Sequence, residues 1–397
     1  MRVLLLVGLA CLCGACGPLS PVGRDAGAGG GGGASTGGGS ATGGSSATGG
    51  GSASTGGGSS ATGGGSATGG GSSTGGGSAT LPEFSFVRMT LQPDPGSQAD
   101  FSVTGLAKRA NGELWAVFAN GQIYVAPAGS NVLSLLPGQP ANPGVSATPI
   151  DVAATSTGVY VLTQGGALAC SSGCATFADF VPAGTLSGTE NGQGLCSNGT
   201  RVAFITQDNS FTGLWTLSGS TFTRQFADLG VARGYSCFMA ANGDVFVPGD
   251  DAAIAVAFGA MGGATTQAIT FGSNPAASWR SVTIGSAGGF VVGGGSGLRV
   301  AVQSGSQWVD QQPDTTGSLM SAVATAGSDV YAGQFTNSSA STAPALFKWN
   351  GSRFVPLATQ PSPAFDVTIA LGVSAHEVYF GGPQRGFGGY VVMHGTR

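Results

Sequence analysis

Charge is scarce in this chain. Its 397 residues include only 14 Lys and Arg and 18 Asp and Glu, for a net charge of −4. A nucleic-acid surface needs basic side chains massed against phosphates, and no such patch occurs, so nucleic acid is excluded as a partner. Histidine is scarcer still, at two, which leaves metal sites and acid–base chemistry short of a common ligand and base. No run reaches the roughly 20 apolar residues that a membrane-spanning helix needs. Nor does any segment after residue 80 sustain a 3.6-residue apolar period, which argues against a helical domain.

Small residues are abundant instead, with 75 glycines. The first residues, MRVLLLVGLACLCGACGP, place Arg2 before an apolar stretch from Val3 to Leu12, with Gly14 and Ala15 just ahead of Cys16. That is the layout of a signal peptide over residues 1–15. The small pair, the Cys and the flexible sequence after it resemble a bacterial lipoprotein. The resemblance implies cleavage before Cys16 and a diacylglycerol on its thiol. The family prefers Leu three residues before the Cys, where this chain has Cys13, and Cys11 is a weaker alternative. It also implies an outer-membrane address, facing the periplasm or the cell surface, because Gly17 rather than Asp follows the Cys. Several acyl chains at one site give stable anchoring without a spanning helix.

Residues 16–80 read as a tether. From Ala26 to Thr80 there is neither a charge nor an aromatic residue, so the stretch cannot bury enough surface to offset ordering entropy. A Gly/Ser chain of this length has an end-to-end distance of about 40 Å.

Residues 81–397 carry a repeat. GELWAVF, TGVYVLT, TRVAFIT, GDVFVPG, GGFVVGG, SDVYAGQ and HEVYFGG recur with Leu114, Val159, Val202, Val245, Phe290, Val330 and Val378 in equivalent places, at spacings of 45, 43, 43, 45, 40 and 48. Each run is short, β-branched or aromatic, and bounded by turn residues, which is strand-and-hairpin chemistry. A small-residue strand such as DVAATS or SVTIGS precedes it, and one or two further strands follow. Four strands about every 44 residues predict an all-β, seven-bladed β-propeller. The Gly-rich strand ends resemble kelch-like propellers, although most copies lack the full kelch signature.

The last copy stops after its third strand, at Arg397, while the first has a spare strand before it. That spare segment, Phe84 to Leu91, matches the outer strand of the sixth copy from Phe354 to Thr359, with Phe-Val and a later Gln-Pro in both. The N-terminal strand is therefore expected to complete the last blade and close the ring.

Four cysteines lie outside the signal peptide, an even number in an exported chain. Cys170 and Cys174 flank a hairpin turn and suit a local bridge. Cys196 and Cys237 hold equivalent inner-strand positions in adjacent copies, either as a bridge between blades or as small buried groups. Neither pair has the further ligands of a zinc site, so no metal and no cofactor are expected. His376 begins a second strand of the last copy and His394 sits three residues from the C-terminus, and solvated or structural roles suit them. Asp250 and Asp251, with Asp244 nearby, fit a turn better than a calcium loop.

Propellers bind on the face made by the turns between second and third strands and by the links between blades. That template places Gln164, Asp208, Asn209, Asp250, Asp251, Phe335 and Arg385 on one side, with Arg233, Tyr235, Trp279 and Arg280 on its links. Such a mixed polar and aromatic rim suits a protein or glycan partner. The expectation is a lipid-anchored, non-catalytic envelope protein. The alternatives are a propeller lyase or glycan hydrolase, or a structural envelope protein with no specific ligand.

Overall fold

A computed structural model describes residues 82–397, apart from 94–101, 141–146, 187, 209–210, 251–252, 259–263, 270–277, 287, 295–297, 305–306, 312–318, 337–341 and 387–388. Cys16, the signal peptide and the tether lie outside the described residues.

The chain begins with β1 (Ser85–Arg88) and β2 (Thr90–Gln92). An antiparallel run follows, of β3 (Val103–Lys108), β4 (Leu114–Phe118), β5 (Ile123–Ala126) and β6 (Val132–Leu135); β2 joins β6 in parallel, giving the order β2-β6-β5-β4-β3. The next sheet holds β7 (Pro149–Ala154), β8 (Val159–Thr163), β9 (Gly166–Cys170) and β10 (Val181–Thr185). Then come β11 (Asn191–Ser197), β12 (Val202–Asp208), β13 (Phe211–Ser218) and β14 (Thr221–Phe226). A fourth sheet is β15 (Phe238–Met239), β16 (Val245–Pro248), β17 (Ala253–Phe258) and β18 (Ala264–Ile269). A fifth is β19 (Ser278–Gly285), β20 (Gly288–Gly294), β21 (Leu298–Ser304) and β22 (Gln307–Gln311). A sixth is β23 (Leu319–Ala326), β24 (Asp329–Phe335), β25 (Leu346–Trp349) and β26 (Phe354–Pro356). The last comprises β27 (Ile369–Ser374), β28 (Glu377–Pro383), β29 (Tyr390–Thr396) and, at its edge, β1.

The first strands, β3, β7, β11, β15, β19, β23 and β27, touch one another in chain order, and β27 packs back on β3. The fold is an all-β propeller. Asn-Gly pairs make several of its turns: Gly112, Gly199 and Gly243 take positive φ of 91°, 87° and 93°, which costs glycine little. The preceding Asn side chain in each accepts a backbone N–H two residues on, as Asn111 does from Glu113 at 3.1 Å.

One expectation needs correcting. Not all sheets are alike: six are regular four-stranded antiparallel blades, and the sheet built on β3 has five strands. Phe84 to Leu91 is not one strand. Ser85–Arg88 pairs antiparallel with β29, Phe86 opposite Gly395, so the N-terminus does complete the last sheet. At Met89 the chain leaves it. The Met89 N–H still bonds the Val392 carbonyl at 2.8 Å, but the Thr90 N–H bonds Asn131 in the next sheet. The N-terminal segment thus stitches two sheets together, with Met89 and Leu91 both 1% exposed in the core between them.

The bulky second-strand residues fill the wedges between sheets. Trp115 packs with Val152, Val159 and Val161 of the following sheet, its ring 5.9 Å from Phe180. The first strands stay small because they crowd the axis. A Cβ on Gly105 would stand 2.5 Å from the Asp151 carboxylate, and one on Gly372 would stand 1.8 Å from the Thr325 carbonyl.

A channel mouth as candidate functional site

The seven first strands, with the link leading into β15, surround a cavity of about 420 Å³. Its wall is mostly Ser, Thr, Ala and Val, and its charged lining residues are Lys108, Asp151 and Arg280. Register breaks recur where first strands begin. The pairing of first with second strand skips one residue at Thr104, Ile150, Gln193, Arg280 and Ser321. Such bulges bend a strand and re-aim the side chain of the extra residue. Thr104, Gln193, Arg280 and Ser321 all line the cavity.

Side chains near these bulges latch most first strands to the next. Asp151 accepts the Leu195 N–H at 2.7 Å, Ser236 Oγ donates to the Arg280 carbonyl at 3.0 Å, and the Val323 N–H reaches Ser281 Oγ at 3.2 Å. Ser321 Oγ donates to the Val367 carbonyl, and Thr368 Oγ1 to the Val103 carbonyl at 2.9 Å. Between β11 and the link before β15 the latch is covalent, Cys196–Cys237, and the second disulfide is Cys170–Cys174. Both cysteine pairs are thus bridged; the other option for Cys196 and Cys237, small unbridged groups, is set aside.

Arg280 is the unusual member. Its guanidinium lies over the Tyr235 ring, 3.8 Å from the centroid. Tyr235 is itself held, its hydroxyl donating to Asp250 Oδ1 at 2.8 Å, and Ser278 Oγ donates to the same oxygen at 2.7 Å. The Arg280 Nε is buried without a hydrogen-bond partner among the described residues. Six other cations among the described residues sit in ion pairs: Lys108 with Glu377, Arg109 with Glu113, Arg224 with Glu190, Lys348 and Arg397 with Asp329, and Arg385 with Asp366.

Asp151 retains some surface toward the cavity, yet protein surrounds it. Burial pushes its pKa up to about 7, against the pull of the N–H groups of Leu195 and Val152. A single carboxylate with both oxygens engaged by backbone is a latch first.

At the other end of the first strands sits a cluster around Glu377. Lys108, Tyr379 and His394 all contact its Oε1, the last two at 2.6 and 3.1 Å, and His394 stacks on Tyr379 with ring centroids 4.5 Å apart. Burial penalises the Glu377 charge, but hydrogen bonds from Lys108 and Tyr379 outweigh it and hold its pKa below the usual range. Burial lowers the His394 pKa despite the Glu377 charge. The preceding sheet repeats the plan: Asp329 meets Lys348 and Arg397, with Tyr331 two residues on from the acid. A plan repeated at two sheet junctions is a strut. His394 therefore has a carboxylate neighbour that sequence distance concealed, and its role is structural.

The expected rim residues divide. Tyr235, Asp250 and Arg280 converge as above. Arg233 is exposed, and its carbonyl accepts the Asp250 N–H at 3.2 Å. Gln164 is half-buried in the β8–β9 turn, and Asp208 ends β12 with an acceptor contact from Thr189. Phe335, half-buried, ends β24. Trp279 and Arg385 are not rim surface. Trp279 is 1% exposed in a core cluster, and Arg385 is 7% exposed with its Nε 2.7 Å from Asp366. Asn209 and Asp251 lie outside the described residues. Asp151, Gln193 and the latching serines were not anticipated. The one legible signal was an Asp in DVAATS where SVTIGS has Ser.

No protein-family model matches the sequence, and no curated protein is similar to it. Its likeness is to solved structures. A catalytically inactive virginiamycin B lyase from Staphylococcus aureus with quinupristin superposes at a TM-score of 0.56, with 11% identity over 79% of this chain and 100% of that one. YCF48 bound to D1 peptide gives a TM-score of 0.57, with 10% identity over 80% and 98%. The RRP9 WD40 repeats give 0.58, with 11% identity over 78% and 97%. At these identities the shared property is the fold, a β-propeller.

Proposed function

We propose that this chain is a lipid-anchored, tethered, seven-bladed propeller that binds a protein partner at the bacterial envelope and performs no chemistry on it. In this reading the five-stranded sheet counts as a blade, and the kelch-like glycine endings let neighbouring blades approach. The carrying observation is the channel mouth: a preformed stack of Arg280 on Tyr235, braced by Asp250, beside carboxylates elsewhere that are already committed to ion pairs. A partner contact gives that arrangement a use. Propellers of this shape include one bound to a peptide. A glycan is the other partner class that a polar rim accommodates.

The test is co-purification of the full chain from its native envelope, comparing the wild type with Tyr235→Ala. The reading predicts a partner retained by the first and depleted at least fivefold with the second. Equal recovery would refute the channel mouth as the contact.

A second reading, an extracytoplasmic propeller lyase or glycan hydrolase, has one observation in its favour: Asp151, with a pKa near 7, lines a cavity. General acid–base catalysis favours such a value. Turnover of an envelope glycan that disappears in Asp151→Asn would establish that reading.

A further inference from the structure

We propose that the channel mouth is a carboxylate site, filled by an acidic side chain or the C-terminal carboxylate of an extended peptide and read by Arg280. This deepens the binding reading above and rests on it.

A guanidinium drawn into protein normally has its charge answered, since unpaired burial is costly. Around this ring it is answered repeatedly, as at Arg385 with Asp366 and Arg397 with Asp329. Among the described residues, no carboxylate forms an ion pair with Arg280. Asp250, whose backbone bridges to Ser278 at the start of β19, spends one oxygen on the Tyr235 and Ser278 hydroxyls. Tyr235 attracts the cation through its ring face but supplies no counter-charge. The Nε is buried and unpartnered among the described residues, while the group lines an open cavity.

The arginine is also pre-positioned. Its carbonyl is fixed by Ser236, and its neighbour Ser281 receives the Val323 N–H, so the bulge that aims it is pinned on both sides. A planar guanidinium held in one orientation matches a carboxylate with two parallel N–H···O bonds. The source of the carboxylate follows from the stack. A pyranose prefers an open aromatic face, and the guanidinium covers a face of Tyr235 at 3.8 Å. Much of the remaining wall is small, with hydroxyls from Thr104, Ser281, Ser321 and Thr368. It suits an extended peptide better than a sugar ring.

The experiment is calorimetric titration of the full chain with acetyl-Glu-Glu-Glu-amide, acetyl-Gln-Gln-Gln-amide and tri-galacturonate. The expected result is binding of the acidic peptide at least tenfold tighter than its neutral counterpart. Arg280→Gln should lose at least tenfold, and Arg353→Gln, on the exposed β25–β26 turn, should lose nothing. Equal affinity for the two peptides, or an Arg280→Gln protein that binds like the wild type, would overturn the site. Tighter binding of tri-galacturonate would overturn the peptide assignment. If Arg280→Gln lowers the melting temperature, Arg280→Lys decides: it keeps the charge without the fork, so an intermediate loss supports the site and unchanged affinity refutes it. A native partner still recovered with Arg280→Gln, alongside failed peptide binding, would sink this site while leaving the binding reading intact.

Discussion

At the scale of single residues, Asp151 makes the most specific demand. Its folded pKa of about 7 stands above the ordinary 3.8, so the folded state holds a proton that the unfolded chain has lost. Its contribution to stability is full below about pH 4 and falls as the pH rises through about 7. Glu377 and Asp329 act in the opposite sense. Their pKa values are held down by cationic partners despite burial, so their contribution is present at neutral pH and is lost in acid. Comparing Asp151→Asn with the wild type separates the two. The stability advantage of the wild type should shrink steadily between pH 4.5 and 8 in thermal melts; a constant difference would show that Asp151 titrates normally. Glu377→Gln should cost about 1–3 kcal/mol at pH 7, since Lys108 loses its counter-charge and His394 a hydrogen-bond partner. That loss should largely vanish at low pH. None of these couplings was legible beforehand, because Lys108 and Glu377 lie 269 positions apart and only ring closure brings them together.

At the scale of elements, the Gln-Pro pair that follows an outer strand, at Gln139 and at Gln360, has a structural task. In the sixth sheet, Gln360 accepts the N–H groups of Ala345 and Leu346 at 2.9 and 3.1 Å and donates to the carbonyls of Leu346 and Leu357. Gln139 does the same for Ile123 and Leu136. Each glutamine continues the third-strand pairing after the outer strand has ended, in front of a proline that has no N–H to offer. Gln360→Ala should therefore expose unpaired backbone and destabilise the fold by about 1–3 kcal/mol, as read by urea melts. Gln225→Ala, on an exposed stretch of β14, should cost well under 1 kcal/mol. Strand positions were readable because alternation, β-branching and Asn-Gly turns are local. The crossing at Met89 was not, because Phe84 to Leu91 reads as one uninterrupted strand and only the neighbouring edges show where it splits. The bulges were hidden for the same reason: a register skip depends on two strands at once.

At the scale of the whole molecule, the ring is held by its seam and its latches. The 40-to-48-residue rhythm and the spare N-terminal strand were plain in the sequence, and β1 against β29 bears out the closure. Deleting residues 84–92 should strip both the edge of the last sheet and the fifth strand of the first, and uncover Tyr331, Phe380 and Leu133. A truncated chain as stable as the intact one would refute the stitch. Cys196→Ser with Cys237→Ser removes the covalent latch across 41 positions, with an expected cost of about 4 kcal/mol. The site was only partly legible. Tyr235, Asp250 and Arg280 could be assigned to one face by counting strands, whereas Trp279 and Arg385 share that address but point into protein.

The most direct test of the functional account is site-specific photocrosslinking in the native envelope from two places in the full chain. One is position 193, at the mouth with Arg280, and the other is position 110, in the β3–β4 turn at the opposite end. The account predicts a discrete protein adduct from 193 that is absent from 110 and depleted by Arg280→Gln. An adduct formed from 110 but not from 193 would contradict it.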